Sequence, residues 1–168
     1  MTPLETDNPF WRFSLRVYAM PGVAEECLEV QDRLGIDVNV LLYAAWLGAI
    51  RGTALDSADI GLIERAVATW SAEVVQRLRA VRRGLKVMPE IADQAVQALR
   101  QRVADAELFA EQIEQALLFR SAATIGRSTA DPIAAARNNV SAVLAAHGAE
   151  AGAFPLRNLL AASGASGD

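Results

Sequence analysis

The sequence has one cysteine, Cys27, and one histidine, His147. A lone thiol forms neither an intramolecular disulfide nor a cysteine-rich zinc site, which suits a reducing compartment, and the expected location is cytoplasmic. Long apolar runs are missing too. The longest, residues 40–50, falls well short of the roughly 20 residues that span a bilayer, so it reads as a buried core helix and no membrane association is expected. The N-terminal MTPLETDNPFWRF is acidic and lacks the apolar segment of a secretory signal. Basic residues are in the minority, 16 against 20 acidic, and the net charge of -4 argues against a chain that coats nucleic acid. There is no Gly-rich phosphate loop, no serine nucleophile elbow and no CxxC pair, so no motif names a reaction or a cofactor.

What is present is helix-forming. Alanine is abundant, only 6 of 168 residues are proline, and 52% are apolar. Alanine loses no side-chain entropy in a helix, so the composition leans all-α, and the length suits one domain over 1–162. Asn8 before Pro9 starts a helix over 10–19, Pro21-Gly22 interrupts it, and 23–34 resumes with Glu25, Glu26 and Glu29 outward. Gly35 stops that helix. Asp37 caps the next, 38–51, which is apolar nearly all round and belongs at the centre of a core. These short helices form an N-terminal part over 8–52.

The segment after Asp56 carries an apolar stripe at Ile63, Val67, Trp70, Val74, Leu78, Val81 and Leu85, spaced 4, 3, 4, 4, 3 and 4. This predicts one helix over 59–86. A second stripe, Val96, Leu99, Val103, Ala106, Ala110, Ile113 and Leu117, alternates 3 and 4 and predicts a helix over 90–121. Two long helices joined by about four residues must lie antiparallel, giving a hairpin over 59–121 within a bundle of about six helices. Residues 125–130 read as loop, and Asp131-Pro132 starts a helix over 132–147 with Ile133, Val140, Val143 and Leu144 inward. A short turn is expected within 155–162, and 163–168 reads as a disordered tail.

Candidate functional residues fall into groups. Glu107, Glu111 and Glu114 share a long helix, but carboxylate metal sites in bundles need Glu-x-x-His pairs, and His147 lies outside any such spacing. A solvated or salt-bridged face is the better reading, with no metal. Arg79, Arg82, Arg83 and Lys86 can share one side of a helix as an anion-binding or salt-bridge patch. With a turn near Val87, Arg79 and Arg82 would stand level with Val96 and Asp93, and Arg65 level with Ala110. No aromatics are interleaved to stack bases, so nucleic acid is not the expected partner. Gln31, Asp32, Asp37 and Asn39 flank Gly35, and Asn39 must find hydrogen bonds as it enters an apolar helix. Capping explains most of that cluster; the alternative is a polar pocket completed by Trp11, Tyr43 and Trp46. Cys27 has no histidine near it in sequence, and His147 at a helix C-terminus reads as structural.

The run NPFWRFSLRVYAMPGVAEECLEVQDRLGIDVNVLLYAAWLG resembles the domain of unknown function 2390 family of short proteobacterial proteins. It has the aromatic start, the Tyr-Ala-x-Pro-Gly-Val step, the Gln-Asp and Gly-x-Asp-Val-Asn elements and the Leu-Leu-x-x-x-Trp helix. Trp70 through Arg83 and Glu107-Leu108 are similar to the family's later segments, so the resemblance covers about 8–120. It implies no activity and assigns no catalytic residue. Leu108, Phe109, Leu118 and Phe119 exceed what the main stripe needs. The expected role is therefore non-enzymatic, through protein contacts and self-association as a homo-oligomer. A small-molecule-binding or enzymatic domain with a pocket near Trp11, Asn39 and Trp46 is the alternative.

Overall fold

The computed structural model describes residues 3–122 and 124–164 and is all-α apart from a two-residue ladder. Asn8 is extended, its Oδ1 accepts the Trp11 N–H at 2.9 Å, and Pro9 has no amide to lose, so α1 runs Pro9–Tyr18. α2, Val23–Leu34, ends at Gly35, whose φ of 68° lets its N–H reach back to the Gln31 carbonyl. Asp37 caps α3, Val38–Ala49, by accepting the Asn39 N–H at 2.9 Å.

α3 is the axis of the molecule. Every residue from Asn39 to Gly48 is buried, so this helix has no solvent face. Around it Phe10 meets Tyr43 edge-on at 5.0 Å, Tyr43 stacks on Trp46 at 5.8 Å, and Trp46 meets Phe119 at 5.8 Å. Each such ring contributes on the order of 2 kcal/mol by burial and up to about 1 more by its pairing. α7, Pro132–Ala146, crosses α3 closely at Gly48, where a Cβ would overlap the backbone of Ala136. Val140, Val143 and Leu144 of α7 face this core as expected, whereas Ile133, at the capped end, is 42% exposed.

β1, Thr53–Ala54, pairs antiparallel with β2, Arg127–Ser128, in the stretch expected to be loop throughout. Asn139 of α7 fastens this corner. Its Oδ1 accepts the Leu55 N–H at 2.9 Å while its Nδ2 donates to the carbonyls of Ala44 and Thr53 at 3.1 and 2.8 Å.

The hairpin is present with two corrections to its expected geometry. Its first arm is α4, Ser57–Trp70, and α5, Gln76–Lys86, joined by a π-turn at Ser71–Val75 rather than by continuous α-helix. The Gln76 N–H reaches the Ser71 carbonyl, which adds one residue to that turn. Ile63 and Val67 are buried as the stripe requires, but the next buried residue is Val75, not Val74, and Val81 is half exposed. The link between the arms is also longer. Pro89–Ala92 is a 3-10 turn, and α6, Gln94–Ser121, starts four residues later than expected, capped by Asp93. Arg79 and Arg82 therefore stand level with Glu107, not with Asp93 and Val96, and Trp70 Nε1 donates to the Ala110 carbonyl at 2.9 Å.

The strict stripe of α6 does not mark its buried face. Of its seven residues only Ala110 is fully buried and Leu99 is half exposed; the buried positions are Glu107, Ala110, Glu114, Gln115, Ala116 and Leu118. At the C-terminal end of α8, Arg157–Ala162, Ser163 is buried and donates from Oγ to the Leu159 carbonyl at 2.8 Å. It is thus packed structure and not the start of a tail, while residues 165–168 of that expectation lie outside the described residues. Among the described residues no helix is long and apolar enough to cross a membrane.

Candidate functional site

A pocket of about 400 Å³ opens between α1, α2, the start of α3, α5 and α6. That volume lies in the range of ~300–1,000 Å³ typical of small-molecule sites. Trp11, Leu15 and Tyr18 of α1, Leu28 of α2 and Leu108 of α6 make an apolar side. Gln31, Arg79, Arg82, Glu107 and Glu111 supply polar wall, and Asp37, Asn39, Glu114 and Gln115, the last three buried, form the floor.

The π-turn determines the arginine wall. Because it adds a residue, Val75, Arg79 and Arg82 point inward at i, i+4 and i+7, and the expected apolar positions Val81 and Leu85 rotate away. Arg79 donates to three partners: Nε to Glu107 at 3.1 Å, Nη2 to Glu111 at 2.6 Å and Nη1 to the side-chain Oε1 of Gln31 at 3.2 Å. Arg82 donates from Nε and Nη2 to the same Glu107 carboxylate. Burial opposes the charge of Glu107, but the guanidiniums of Arg82 and Arg79 outweigh it and hold the carboxyl below its usual range. Glu111 moves the other way, since burial outweighs its single partner Arg79.

The floor is built differently, from amides and hydroxyls with no cation. Glu114 is 0% exposed; its Oε2 accepts from Asn39 Nδ2 at 2.6 Å. Gln115 Nε2 donates to Asn39 Oδ1 at 2.8 Å, and Ser71 Oγ donates to Asp37 Oδ2 at 2.8 Å. Burial, then the neighbouring Asp37 charge, pushes the Glu114 carboxyl up to about 8. At neutral pH Glu114 therefore keeps its proton. Glu114 Oε1, Gln115 Oε1 and Ser14 Oγ are buried and have no hydrogen-bond partner among the described residues.

A model of the family described as "Protein of unknown function (DUF2390)" matches residues 9–118. The chain belongs to that family. Every pocket residue from Trp11 to Gln115 lies inside the matched segment of this DUF2390 chain, whereas α7 and α8 lie beyond it. No curated protein and no solved structure matches the chain.

The two groups singled out in the DUF2390 sequence meet in one place. Trp11, Gln31, Asp37 and Asn39 line the pocket together with Arg79, Arg82 and Arg83. Asp32 and Lys86 are exposed and do not line it. Tyr43 and Trp46 do not line it either: they are 0% and 1% exposed inside the aromatic core, on the side of α3 turned toward Phe10 and Phe119. Of the solvated or salt-bridged face expected of the glutamates, the salt-bridged reading holds for Glu107 and Glu111, paired with Arg79 and Arg82, whereas Glu107 and Glu114 are buried in the pocket wall and floor and not solvated. Their spacing from Glu111, i, i+4 and i+7, was the available signal, and its meaning depended on the partner helix. Among the described residues no group of histidine, cysteine, aspartate and glutamate is arranged to hold a metal ion. A shallower hollow on the far side of Asp37 contains His147, whose Nε2 lies 3.5 Å from Glu64 Oε1 and whose Nδ1 is tied to the Val143 carbonyl.

Proposed function

We propose that this protein binds a small molecule in the pocket between α1, α2, α3, α5 and α6. The observation that carries the reading is the floor: polar side chains from α3, the π-turn and α6 converge beneath an open cavity with an apolar side. Burying a carboxyl there costs several kcal/mol relative to an apolar residue, an arrangement that packing alone does not favour and that recognition of a ligand does. Thermal unfolding of the full chain against a panel of metabolites tests it. A ligand at 100 times its Kd raises stability by about 2.7 kcal/mol, a shift of about 5 °C or more for a chain of this size. The half-exposed Leu28 tolerates tryptophan at the mouth, so Leu28→Trp should abolish the shift. A panel in which no compound moves the wild-type midpoint, or in which the variant responds equally, would sink the reading.

Self-association is a second reading, favoured by Leu108 and Phe109, which are 52% and 55% exposed side by side on α6. Leu118 and Phe119, expected to add to that surplus, are taken up within the chain, Leu118 fully buried and Phe119 against Trp46. Light scattering at micromolar concentration decides it; a monomer whose mass is unaltered by Phe109→Ser counts against association. A cytoplasmic location fits Cys27, which is buried and whose thiol is pushed up to about 12 by burial and then by Glu26, far from reactive thiolate character.

A further inference from the structure

We propose that the ligand of this pocket is an organic ammonium with an apolar body, its charged head held by Asp37 and Glu114. The inference rests on the reading of the pocket as a binding site and adds the chemical class of what it takes.

The placement of charge within the cavity points to a cation. Four carboxyls and three guanidiniums line it, and two of the guanidiniums are committed to its wall: Arg79 and Arg82 both hold Glu107, and Arg79 also holds Glu111. Arg83 lies at the exposed edge. Among the described residues no cation contacts Asp37 or Glu114, and their donors are amide, hydroxyl and backbone groups. An anionic ligand entering here would face two carboxyls with no free guanidinium at the floor.

The hydrogen-bonding capacity left over has the same sign. Asn39 donates to Glu114 and accepts from Gln115, which fixes both amides and leaves Gln115 Oε1, in a side chain 3% exposed, as an acceptor without a donor. An ammonium carries three donors and no acceptor, which suits Asp37, Gln115 Oε1 and the Glu114 carboxyl together. Above the floor, Trp11, Leu15, Tyr18 and Leu28 offer an apolar and aromatic surface to the rest of the molecule. The faces of Trp11 and Tyr18 are themselves attractive to cations.

Seating a cation beside the Glu114 carboxyl drives its proton off into the buffer, leaving a carboxylate against the ammonium. The charged groups that share the cavity with Glu114 are Asp37 from the start of α3, Arg79, Arg82 and Arg83 from α5, and Glu107 and Glu111 from its own helix. α1 contributes only the phenol of Tyr18 and α2 only the uncharged Gln31. Glu114 is the group raised to about 8, so at pH 7 binding releases a proton, and affinity rises with pH up to about 8.

The test is calorimetric titration of the full chain at pH 7 with n-hexylamine, n-hexanol and n-hexanoate. Hexylamine should bind about tenfold or more tighter than hexanol, the margin expected of one charge-assisted hydrogen-bonded head, with hexanoate weakest. Repeating the amine titration in buffers of different ionisation enthalpy should show proton release. Glu114→Gln, an isostere of the protonated carboxyl, should abolish that release and weaken hexylamine about tenfold while leaving hexanol unchanged. Gln115→Leu should weaken hexylamine without touching proton release. If hexanol or hexanoate binds as well as the amine and Leu28→Trp blocks it, the pocket stands and the ammonium class is overturned. If none of the three binds, both are overturned. An amine that binds without proton release and is indifferent to Glu114→Gln likewise refutes the proposed seat.

Discussion

Replacing Glu114 by glutamine should make the protein less sensitive to alkali, and the structure gives the sign and the scale. The Glu114 carboxyl titrates near 4.5 when unfolded and near 8 in the folded chain, so between those values the native state holds a proton that the unfolded state has released. Stability from this group is therefore fully present below pH 4.5 and is lost as pH rises through about 8. Each pH unit inside the window is worth up to about 1.4 kcal/mol, which sets a ceiling of roughly 5 kcal/mol across it. Glutamine keeps the shape, accepts from Asn39 as Oε2 does and offers an N–H to Asp37, but has no proton to lose. Urea unfolding of both proteins from pH 5 to pH 8.5 should show similar midpoints at the acid end and a gap that widens by a few kcal/mol toward the alkaline end, in favour of the variant. Parallel curves would mean that Glu114 is ionised throughout, and the account of a protonated carboxyl in the floor would have to be abandoned.

Arg79→Met should cost about 3 kcal/mol in chemical denaturation, because it leaves Glu111 without a cation and Glu107 with Arg82 alone, and adding Glu111→Gln should recover part of the loss. Asn139→Ala leaves one N–H and two carbonyls at the α7 corner without partners and should lower stability by about 3 kcal/mol, read as a drop of several degrees in Tm. Gly48→Ala forces a methyl into the backbone of Ala136 and should destabilise by about 3 kcal/mol; a neutral result would show that α3 and α7 cross less closely than described.

Several helix ends were legible in the sequence because they are determined locally. Asn8, Asp37 and Asp131 cap the helices they precede and Gly35 ends α2 where its position implied, whereas the starts of α4 and α6, capped by Asp56 and Asp93, fall at Ser57 and Gln94 and not at 59 and 90. Periodicity was less informative for the hairpin. A stripe read at constant phase holds only while the helix does, and the π-turn broke the phase after Trp70, so Val74 and Val81 were assigned to a face that Val75 and Arg79 occupy. Asn39 signalled a polar contact, but its partner Glu114 lies 75 residues away across the hairpin. The burial of that carboxyl depends on the pairing of helices, which the spacing of residues on one helix does not encode. For the same reason the glutamate triad and the arginine patch looked like two surface features before the fold joined them.

The π-turn also makes the character of the pocket depend on length as well as composition. Removing one residue between Ser71 and Val75 would turn the helix beyond it by about 100°, swinging both guanidiniums toward water and bringing hydrocarbon side chains to the same wall. No lining residue would have been substituted. In a lineage of such chains, a single-codon gain or loss in this turn is thus a route between a cavity suited to salts and one suited to oils, and alignments that close such a gap would hide the change.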